Sequence, residues 1–249
     1  MHLTVLDCKR DRSPPDENSE DRMPADQDDA APPALTREGL AQAALRVLER
    51  DGLAGLSMRK VAAEVGVKAA SLYWHVRNKE ELLDLLNDAL MADVEAPPRT
   101  GDWRVQLRGY CERYRAHLLG RRDAAKVVAG RLAPGPHLLH LMEDQLGRLR
   151  GAGFSAPDAA MVSYLLGAYV QGFVLQEQSP MAAAETTGTG RRALADAAAE
   201  RFRALPPAEF PHLVAMAGDL TGPDLDARFA FGLERILDGL AALLPPDRR

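Results

Sequence analysis

Residues 57–79, SMRKVAAEVGVKAASLYWHVRNK, contain two short helical patterns separated by a tight turn. In the first pattern, apolar residues recur at helical spacing between Ser57, which is placed to cap the helix, and Gly66, which is placed to end it. The buried face of the second pattern can hold only Ala69, Leu72 and Val76. The side chains that cannot all share that face are Ser71, Tyr73, Trp74 and His75. We therefore expect the second helix to present a binding surface.

The charge of this segment indicates what the surface binds. Residues 57–79 carry five basic side chains and one acid, although the formal net charge of the whole chain is −5. A local basic stripe is typical of surfaces that bind phosphates. In a helix-turn-helix, the second helix enters the major groove of DNA while the first crosses the backbone. The alternative is that Tyr73 and Trp74 pack against a neighbouring helix and that His75 is a core histidine.

The run GLSMRKVAAEVGVKAASLYWHVRNKEELLDLL resembles the DNA-binding domain of the TetR family of bacterial repressors, and LYWHVRNK resembles the tetracycline-repressor branch. The resemblance implies that Arg59 reads a guanine through its O6 and N7 atoms and that Ala70 and Trp74 touch bases. Tetracycline repressors carry a glutamine where this chain has Ala69, and alanine cannot make a two-point contact with adenine, so the operator should differ there. The positions that grip phosphates in the family are Ser57, Ser71, Tyr73, His75 and Lys79. Lys60 and Lys68 complete the predicted DNA-binding set.

Composition favours an all-α fold. The chain has 249 residues, of which 46% are apolar, and no run alternates apolar with polar residues long enough to propose a sheet. No apolar run approaches the ~18 residues that a membrane span needs, and no signal peptide is recognisable, so we expect a cytoplasmic, nucleoid-associated protein without a membrane partner. Cys8 and Cys111 lie far apart and predict reduced free thiols.

Three segments are predicted along the chain. Residues 1–34 contain nine acids, four bases and five prolines, which predicts a disordered arm. A basic cluster in this arm could reach a minor groove beside the operator, or it could simply be solvated. Residues 35–79 form the predicted three-helix DNA-binding domain, with its first helix at 36–50. Residues 80–249 form the predicted effector-binding and dimerisation domain, entered through a connecting helix at about 79–95.

The C-terminal part is predicted to be helical and to carry a dimer interface. The expected helices are 103–119, 122–130, 135–152, 157–178, 191–203 and 224–244, with a mobile loop at 179–190. The strings RRDAAKV, EDQLGRLRGAGFS, GFVLQEQ and FAFGLERILDGL extend the resemblance to the tetracycline-repressor core. Apolar faces on the fourth and last of these helices are read as halves of a four-helix homodimer interface, and an intramolecular core is the alternative. The candidate interface residues are Leu165, Leu166, Phe173, Leu233, Ile236, Leu237 and Leu240.

The resemblance also implies an effector cavity. Tetracycline repressors bind a drug chelated to magnesium through an imidazole, a threonine and a glutamate of the partner subunit, and this chain has Val128, Arg131 and Gln176 at those positions. A hard divalent cation needs oxygen ligands, so we expect neither a metal nor another cofactor. Further positions implied by the resemblance are Glu95, Tyr110, Tyr114 and Gln145, and the cavity is completed by Leu132, Leu138, Met142 and Tyr169. These residues predict a hydrophobic or aromatic ligand, such as an antibiotic or a secondary metabolite, or an anion if Arg131 faces inward.

The expected function is therefore that of a ligand-responsive transcriptional repressor. A dimer would bind a palindromic operator and release it when a small molecule binds, and the resemblance implies an efflux or biosynthetic gene as the target. One alternative is a DNA-binding dimer without an effector. Another is a carrier or enzyme that uses the same cavity, but the sequence has no nucleophile elbow, phosphate loop or paired acid at a useful spacing.

Overall fold

The computed structural model describes residues 35–131, 133–187, 190–222 and 224–248, with side chains described except at 180–187, 191 and 248. Within these ranges the chain forms α-helices and no strand, which confirms the all-α prediction. The predicted arm 1–34 and the candidate cavity residue Leu132 lie outside the described residues. In chain order the helices are α1 (Arg37–Gly55), α2 (Met58–Glu64), α3 (Ala69–Leu72), α4 (Lys79–Ala92), α5 (Trp103–Leu119), α6 (Ala124–Val128), α7 (Pro136–Ala152), α8 (Ala156–Thr187), α9 (Arg191–Arg203), α10 (Pro211–Ala215), α11 (Ala217–Thr221) and α12 (Leu225–Ala241).

Side-chain caps start the first helices. Thr36 accepts a hydrogen bond from the backbone N–H of Gly39 at the start of α1, and Ser57 accepts one from Lys60 at the start of α2. Asn78 caps α4 by accepting from the backbone N–H of Glu81 at 2.9 Å. These oxygens satisfy N–H groups that have no partner within the helix, which fixes where each helix begins.

The first four helices share one apolar core. Helix α1 packs against α2 and α4, and α2 packs against α3. The core side chains of these helices are fully buried, and they include Leu40, Val47, Leu48, Val61, Leu72, Val76, Leu82 and Leu86. Burial of a leucine-sized side chain contributes about 1.5–3 kcal/mol, so this cluster fixes the orientation of the short α3.

Helix α8 is longer than the sequence predicted. We expected a mobile loop at 179–190, but α8 continues through that segment to Thr187. The alanines within it are strong helix formers, and their propensity prevails over the small polar residues that suggested a loop. The prediction that no segment is long and apolar enough to cross a membrane was also wrong, because residues 156–179 pass that test with a mean hydropathy of 1.3. In the fold this helix packs against α5, α6, α7, α9 and α12, and 28% of its apolar window is buried.

Four predicted dimer-interface residues belong to the core of the single chain. Leu166 on α8 and Leu233, Leu237 and Leu240 on α12 are buried by the chain itself. The sequence correctly predicted that these faces of α8 and α12 are buried. Neighbours within the same chain cover these four side chains, so we no longer assign them to a dimer interface. Phe173 and Ile236 are half-buried against the same core, and Leu165 is exposed.

Candidate nucleic-acid interface and ligand cavity

The side chains of the second helix of the helix-turn-helix divide into a buried and an exposed set. Leu72 and Val76 have no exposed surface, whereas 54% of Tyr73 and 90% of Trp74 are exposed. Helical hydrogen bonding continues past α3, since the N–H groups of His75 and Val76 both donate to the carbonyl of Leu72. Two adjacent aromatic side chains therefore stand on a surface whose opposite side is anchored in the core.

Basic side chains surround these aromatics. Exposed cations on the same segment are Arg59, Lys68, Arg77 and Lys79, and Ala70 and Ser71 are exposed as well. The acid within the segment, Glu64, is neutralised by Arg46 and Arg50 at 2.8 Å each. The hydrogen bond from Arg50 holds the pKa of the Glu64 carboxyl below its usual range. The surface consequently keeps a positive charge at neutral pH, as binding to phosphates requires.

Lys60 was predicted to contact DNA, but in the structure it forms an ion pair within the protein. Its Nζ atom is 2.7 Å from the carboxylate of Asp51, at the end of α1. This ion pair partly neutralises the charge of Lys60, although 42% of its side chain remains exposed. The hydroxyl oxygen of Ser57 accepts a hydrogen bond from the backbone N–H of Lys60 and so caps α2. His75 is half-buried, and its backbone carbonyl accepts a hydrogen bond from Arg37 at 2.7 Å.

A cavity of about 460 Å³ lies among α4, α5, α7 and α8. Seven of the predicted effector residues line it, namely Tyr110, Tyr114, Val128, Arg131, Leu138, Met142 and Gln145. Residues that the sequence reasoning missed include Met91, Cys111, Leu141, Ser163, Tyr164 and Gln171. Several of the missed residues recur at intervals of three, four and seven on one face of α8, and this spacing is the signal that could have revealed them.

Three predicted effector residues lie elsewhere. Glu95 follows α4, and 87% of its side chain is exposed, with Arg113 at 3.9 Å. Tyr169 turns towards α12, where its hydroxyl donates to the carbonyl of Phe229 at 2.7 Å and its ring stacks on the Phe229 ring. Gln176 is exposed and does not line the cavity. The resemblance placed all three in the cavity, but Glu95 lies in the segment after α4, and Tyr169 and Gln176 are not among the residues of α8 that line the cavity.

Apart from Arg131, the polar side chains in the described lining of the cavity are neutral hydrogen-bonding groups. Gln171 donates from its Nε2 to the hydroxyl of Tyr114 at 3.1 Å, and Ser163 donates to the Oε1 of Gln145 at 2.6 Å. Burial raises the pKa of Tyr114 to about 12 and that of the Cys111 thiol to about 12, and it also raises the pKa of Tyr110. These groups therefore stay protonated at neutral pH.

Arg131 is bound to α4. Its Nη1 lies 2.7 Å from Asp84, its Nη2 lies 3.0 Å from Glu80, and its Nε donates to the carbonyl of Val127. Because both carboxylates already pair with the guanidinium, Arg131 offers no free positive charge to a ligand. The expectation of an anionic ligand held by an inward Arg131 is corrected accordingly.

A third acid on the same face of α4 holds the start of α7. The carboxylate of Asp88 accepts from the backbone N–H of Leu138 at 3.0 Å and lies 2.9 Å from Nδ1 of His137. Glu80, Asp84 and Asp88 follow one another at intervals of four and so share one face of α4. Arg131 and Leu138, which both line the cavity, are thus each hydrogen-bonded to α4.

The N-terminal end of α6 is hydrogen-bonded to α1. Asp123 accepts from the backbone N–H of Leu53 at 2.8 Å, and the Nη1 of Arg122 donates to the carbonyls of Arg50 and Glu49. Asp123 has a φ of 54° and is the one non-glycine residue with positive φ in the described part of the chain. Helix α6 therefore connects the cavity wall at Val128 with the C-terminal end of α1.

Known proteins resemble the chain over most of its length. Residues 40–86 match the family model "Bacterial regulatory proteins, tetR family", and residues 96–244 match "Tetracyclin repressor-like, C-terminal domain". The HTH-type transcriptional repressor DrrR1 of Streptomyces coeruleorubidus is 34% identical over 87% of this chain and 81% of its own length. The class A tetracycline repressor protein from transposon 1721 of Escherichia coli is 38% identical over 80% of this chain and 88% of its own.

A solved structure gives the same result. The crystal structure of ActR, a TetR family protein of Streptomyces coelicolor, in complex with actinorhodin superposes with a TM-score of 0.76. The two sequences are 35% identical, and the match covers 86% of this chain and 99% of ActR. Family models, relatives and structure agree on both halves of the chain, so the chain belongs to the tetR family of bacterial regulatory proteins, whose members are transcriptional regulators.

Proposed function

We propose that this protein is a ligand-responsive repressor that binds a palindromic operator as a dimer. The observation that carries the proposal is the exposed Tyr73–Trp74 pair on a helix anchored from behind by Leu72 and Val76. Exposed aromatic side chains can contact base edges in the major groove, and the cations on either side of them can contact phosphates. DrrR1 and the class A tetracycline repressor, both named as repressors, support the direction of regulation.

The proposed dimer interface uses the exposed apolar side chains of α8 and α12. The apolar side chains that are exposed in the single chain are Met161, Tyr164 and Leu165 on α8 and Phe231 on α12. Met161 and Phe231 are each 69% exposed. Large apolar side chains grouped on neighbouring helices favour burial against a second copy. Leu165 is the residue of the predicted set that fits this surface.

The proposed effector is a small hydrophobic or aromatic molecule bound without a metal. The cavity is mostly apolar and has the size of a drug-binding pocket. Its described lining contains no carboxylate, so its donors do not suit a magnesium ion, which prefers oxygen ligands of that kind. ActR, which was crystallised with actinorhodin, supports a metabolite as the ligand.

Release of DNA would follow from the contacts between the cavity wall and the helices near the DNA. A ligand that displaces Arg131 or Leu138 would pull on Glu80, Asp84 or Asp88 of α4, which follows α3, the recognition helix. A shift of α6 would also act on α1 through Asp123. Such a ligand lowers operator affinity only if it binds the DNA-incompetent form more tightly, and typical couplings are about 1–3 kcal/mol.

Operator binding is tested with a duplex from the promoter region of the protein's own gene, at ~50 mM salt where phosphate contacts are strongest. The Arg59→Ala variant should lose ~1–3 kcal/mol of operator-binding free energy and should discriminate less at the one base pair that Arg59 reads. Lys79→Ala removes a phosphate contact and should weaken binding to all sequences alike. Equal effects of both substitutions on every sequence would contradict the assigned roles. A DNA-binding dimer that ignores every compound in a metabolite library would favour the alternative without an effector.

A further inference from the structure

The C-terminal end of the recognition helix is held by side chains of α1 and α4. Arg37 on α1 donates to the backbone carbonyl of His75, and Glu81 on α4 accepts from the backbone N–H of Arg77. We infer that Arg37 is a positioning residue for operator recognition, which sets the orientation of the exposed aromatic pair through the His75 carbonyl. The inference rests on the proposed function and adds a residue that is absent from the predicted DNA-binding set.

The recognition helix is too short to fix its own orientation. Helix α3 spans one turn, Ala69–Leu72, and helices of this length are not stable by themselves. Lys68 occupies its N-cap position, and lysine carries no acceptor for the N–H groups of the first turn. Leu72 and Val76 anchor the inner side of the helix in the core. Apolar contacts are not directional, so they hold the helix against the core without fixing its rotation or tilt.

The hydrogen bond from Arg37 supplies that direction. Its Nη1 atom lies 2.7 Å from the carbonyl oxygen of His75, a residue 38 positions further along the chain. His75 stands in the turn that ends the helix, where carbonyls lack a partner within the helix itself. A hydrogen bond from a charged donor is stronger than one between neutral groups. The first turn of α1 is thereby tied to the turn that carries the aromatic pair.

Glu81 keeps Arg37 in this position. Its Oε1 atom lies 3.7 Å from Nη1 of Arg37, and its Oε2 atom accepts from the backbone N–H of Arg77 at 2.8 Å and from Nε of Arg77 at 3.3 Å. The hydrogen bond from the Arg77 backbone holds the pKa of the Glu81 carboxyl below its usual range, so the group is charged at neutral pH. One carboxylate on α4 therefore orients both the Arg37 side chain and the backbone that follows the recognition helix.

Loss of the Arg37 contact should affect sequence recognition more than general affinity. Phosphate contacts fix where a protein lies on the duplex, whereas base contacts read the sequence and need side chains held close to one geometry. A recognition helix released at its C-terminal end would keep its cations beside the phosphates but would present the aromatic pair in a range of orientations. Arg37 is therefore expected to act through the helix and not by contact with DNA.

A comparison of two duplexes tests this role. Full-length wild-type protein and Arg37→Ala are titrated by fluorescence anisotropy against a labelled duplex from the promoter region of the protein's own gene and against a scrambled duplex of the same length and composition. The preference for the promoter duplex should fall about five- to twentyfold in the variant, as after loss of one base contact, while affinity for the scrambled duplex changes less than about twofold. The slope of log affinity against log salt should stay that of wild type, whereas a lost phosphate contact would reduce it by about 0.9.

Two further variants complete the test. Arg37→Lys keeps a cationic donor for the His75 carbonyl and should retain the wild-type preference within about threefold. Arg46→Ala is the matched control, because it removes the same charge from the same helix, and the side chain of Arg46 is 55% exposed against 54% for Arg37. Its preference should equal that of wild type. Since these positions are exposed, each variant should keep the wild-type melting temperature.

Several results would overturn the inference. They are an unchanged preference in Arg37→Ala, equal losses on both duplexes with a reduced salt slope, an equal loss of preference in Arg46→Ala, or a loss in Arg37→Lys as large as that in Arg37→Ala. The proposed function fails separately. Wild-type protein that does not distinguish the two duplexes would contradict the repressor proposal and the inference with it, whereas a wild-type preference that survives Arg37→Ala would overturn the positioning role alone.

Discussion

The guanidinium of Arg131 lies 2.7 Å from the carboxylate of Asp84, where the wall of the cavity meets the helix that follows the recognition helix. Arg131 lines the cavity with its own atoms and also pairs with Glu80, at the start of α4. A ligand that moves this side chain therefore acts directly on α4.

Replacement of Arg131 should uncouple ligand binding from DNA release. In the Arg131→Ala variant, a saturating concentration of an effector identified in a metabolite library should lower operator affinity by less than threefold, while wild-type affinity falls at least fivefold, the lower end of common couplings. Fluorescence anisotropy of a labelled operator with and without the effector measures both values. Arg203→Ala removes an exposed ion pair with Glu200 and should behave like wild type. An unchanged ratio in Arg131→Ala would contradict the proposed connection.

Asp123 should contribute to stability in an acid-dependent manner. Burial alone would raise the pKa of its carboxyl, but hydrogen bonds from Lys126 and from the backbone of Leu53 hold the pKa below its usual range. Its contribution is therefore present above the unfolded pKa of about 4 and is lost as the pH falls through the lower folded value. Urea unfolding of Asp123→Asn at pH 7 and at successively lower pH should show a smaller loss of stability in acid than wild type shows.

Asp123→Ala provides the control for the backbone. Asparagine tolerates the left-handed conformation that Asp123 adopts at a φ of 54°, whereas alanine there costs about 1–2 kcal/mol. Alanine also leaves the N–H of Leu53 without its acceptor, for a further ~1 kcal/mol or more. Asp123→Ala should consequently be the less stable variant at pH 7. The same loss of stability in acid in wild type and Asp123→Asn would show that the carboxylate does not hold α6 to α1.

The proposed interface predicts which surface substitution prevents dimerisation. Leu165→Arg on α8 should give a monomer in size-exclusion chromatography with light scattering, because it buries an unpaired charge in the interface. Leu139→Arg on α7 is the matched control, since 51% of Leu139 is exposed against 44% of Leu165. The control should remain dimeric and should bind the operator. Dimers of Leu165→Arg at micromolar concentration would contradict the proposed surface.

Local patterns in the sequence predicted most of the helices and the exposed face of the second helix of the helix-turn-helix. Capping residues and apolar spacing are local signals, so Ser57, Gly66, Asn78 and the buried positions Leu72 and Val76 were identified correctly. The exposure of Trp74 followed by elimination, because only one face of a short helix can be buried. The all-α class followed in the same way.

Tertiary partners were not predictable from periodicity. An apolar stripe shows that a face is covered but not by what, so Leu233 and Leu237 were assigned to a second copy although the chain itself buries them. A count of charges could not show that Asp51 pairs with Lys60 or that Asp84 pairs with Arg131. Glu95 was assigned to the cavity because it occupies the sequence position of a ligand-binding residue of the family. Its side chain faces solvent, so the role could not be transferred by position alone.

The central claim is that DNA covers the Tyr73–Trp74 surface, and one comparison tests it most directly. Trp74→Ala and wild-type protein are titrated against a labelled duplex from the gene's own promoter at ~50 mM salt, with thermal unfolding measured on the same samples. Because 90% of Trp74 is exposed, the variant should keep the wild-type melting temperature and lose at least tenfold in operator affinity. Equal affinities of the two proteins, or no saturable binding by the wild type, would contradict the account.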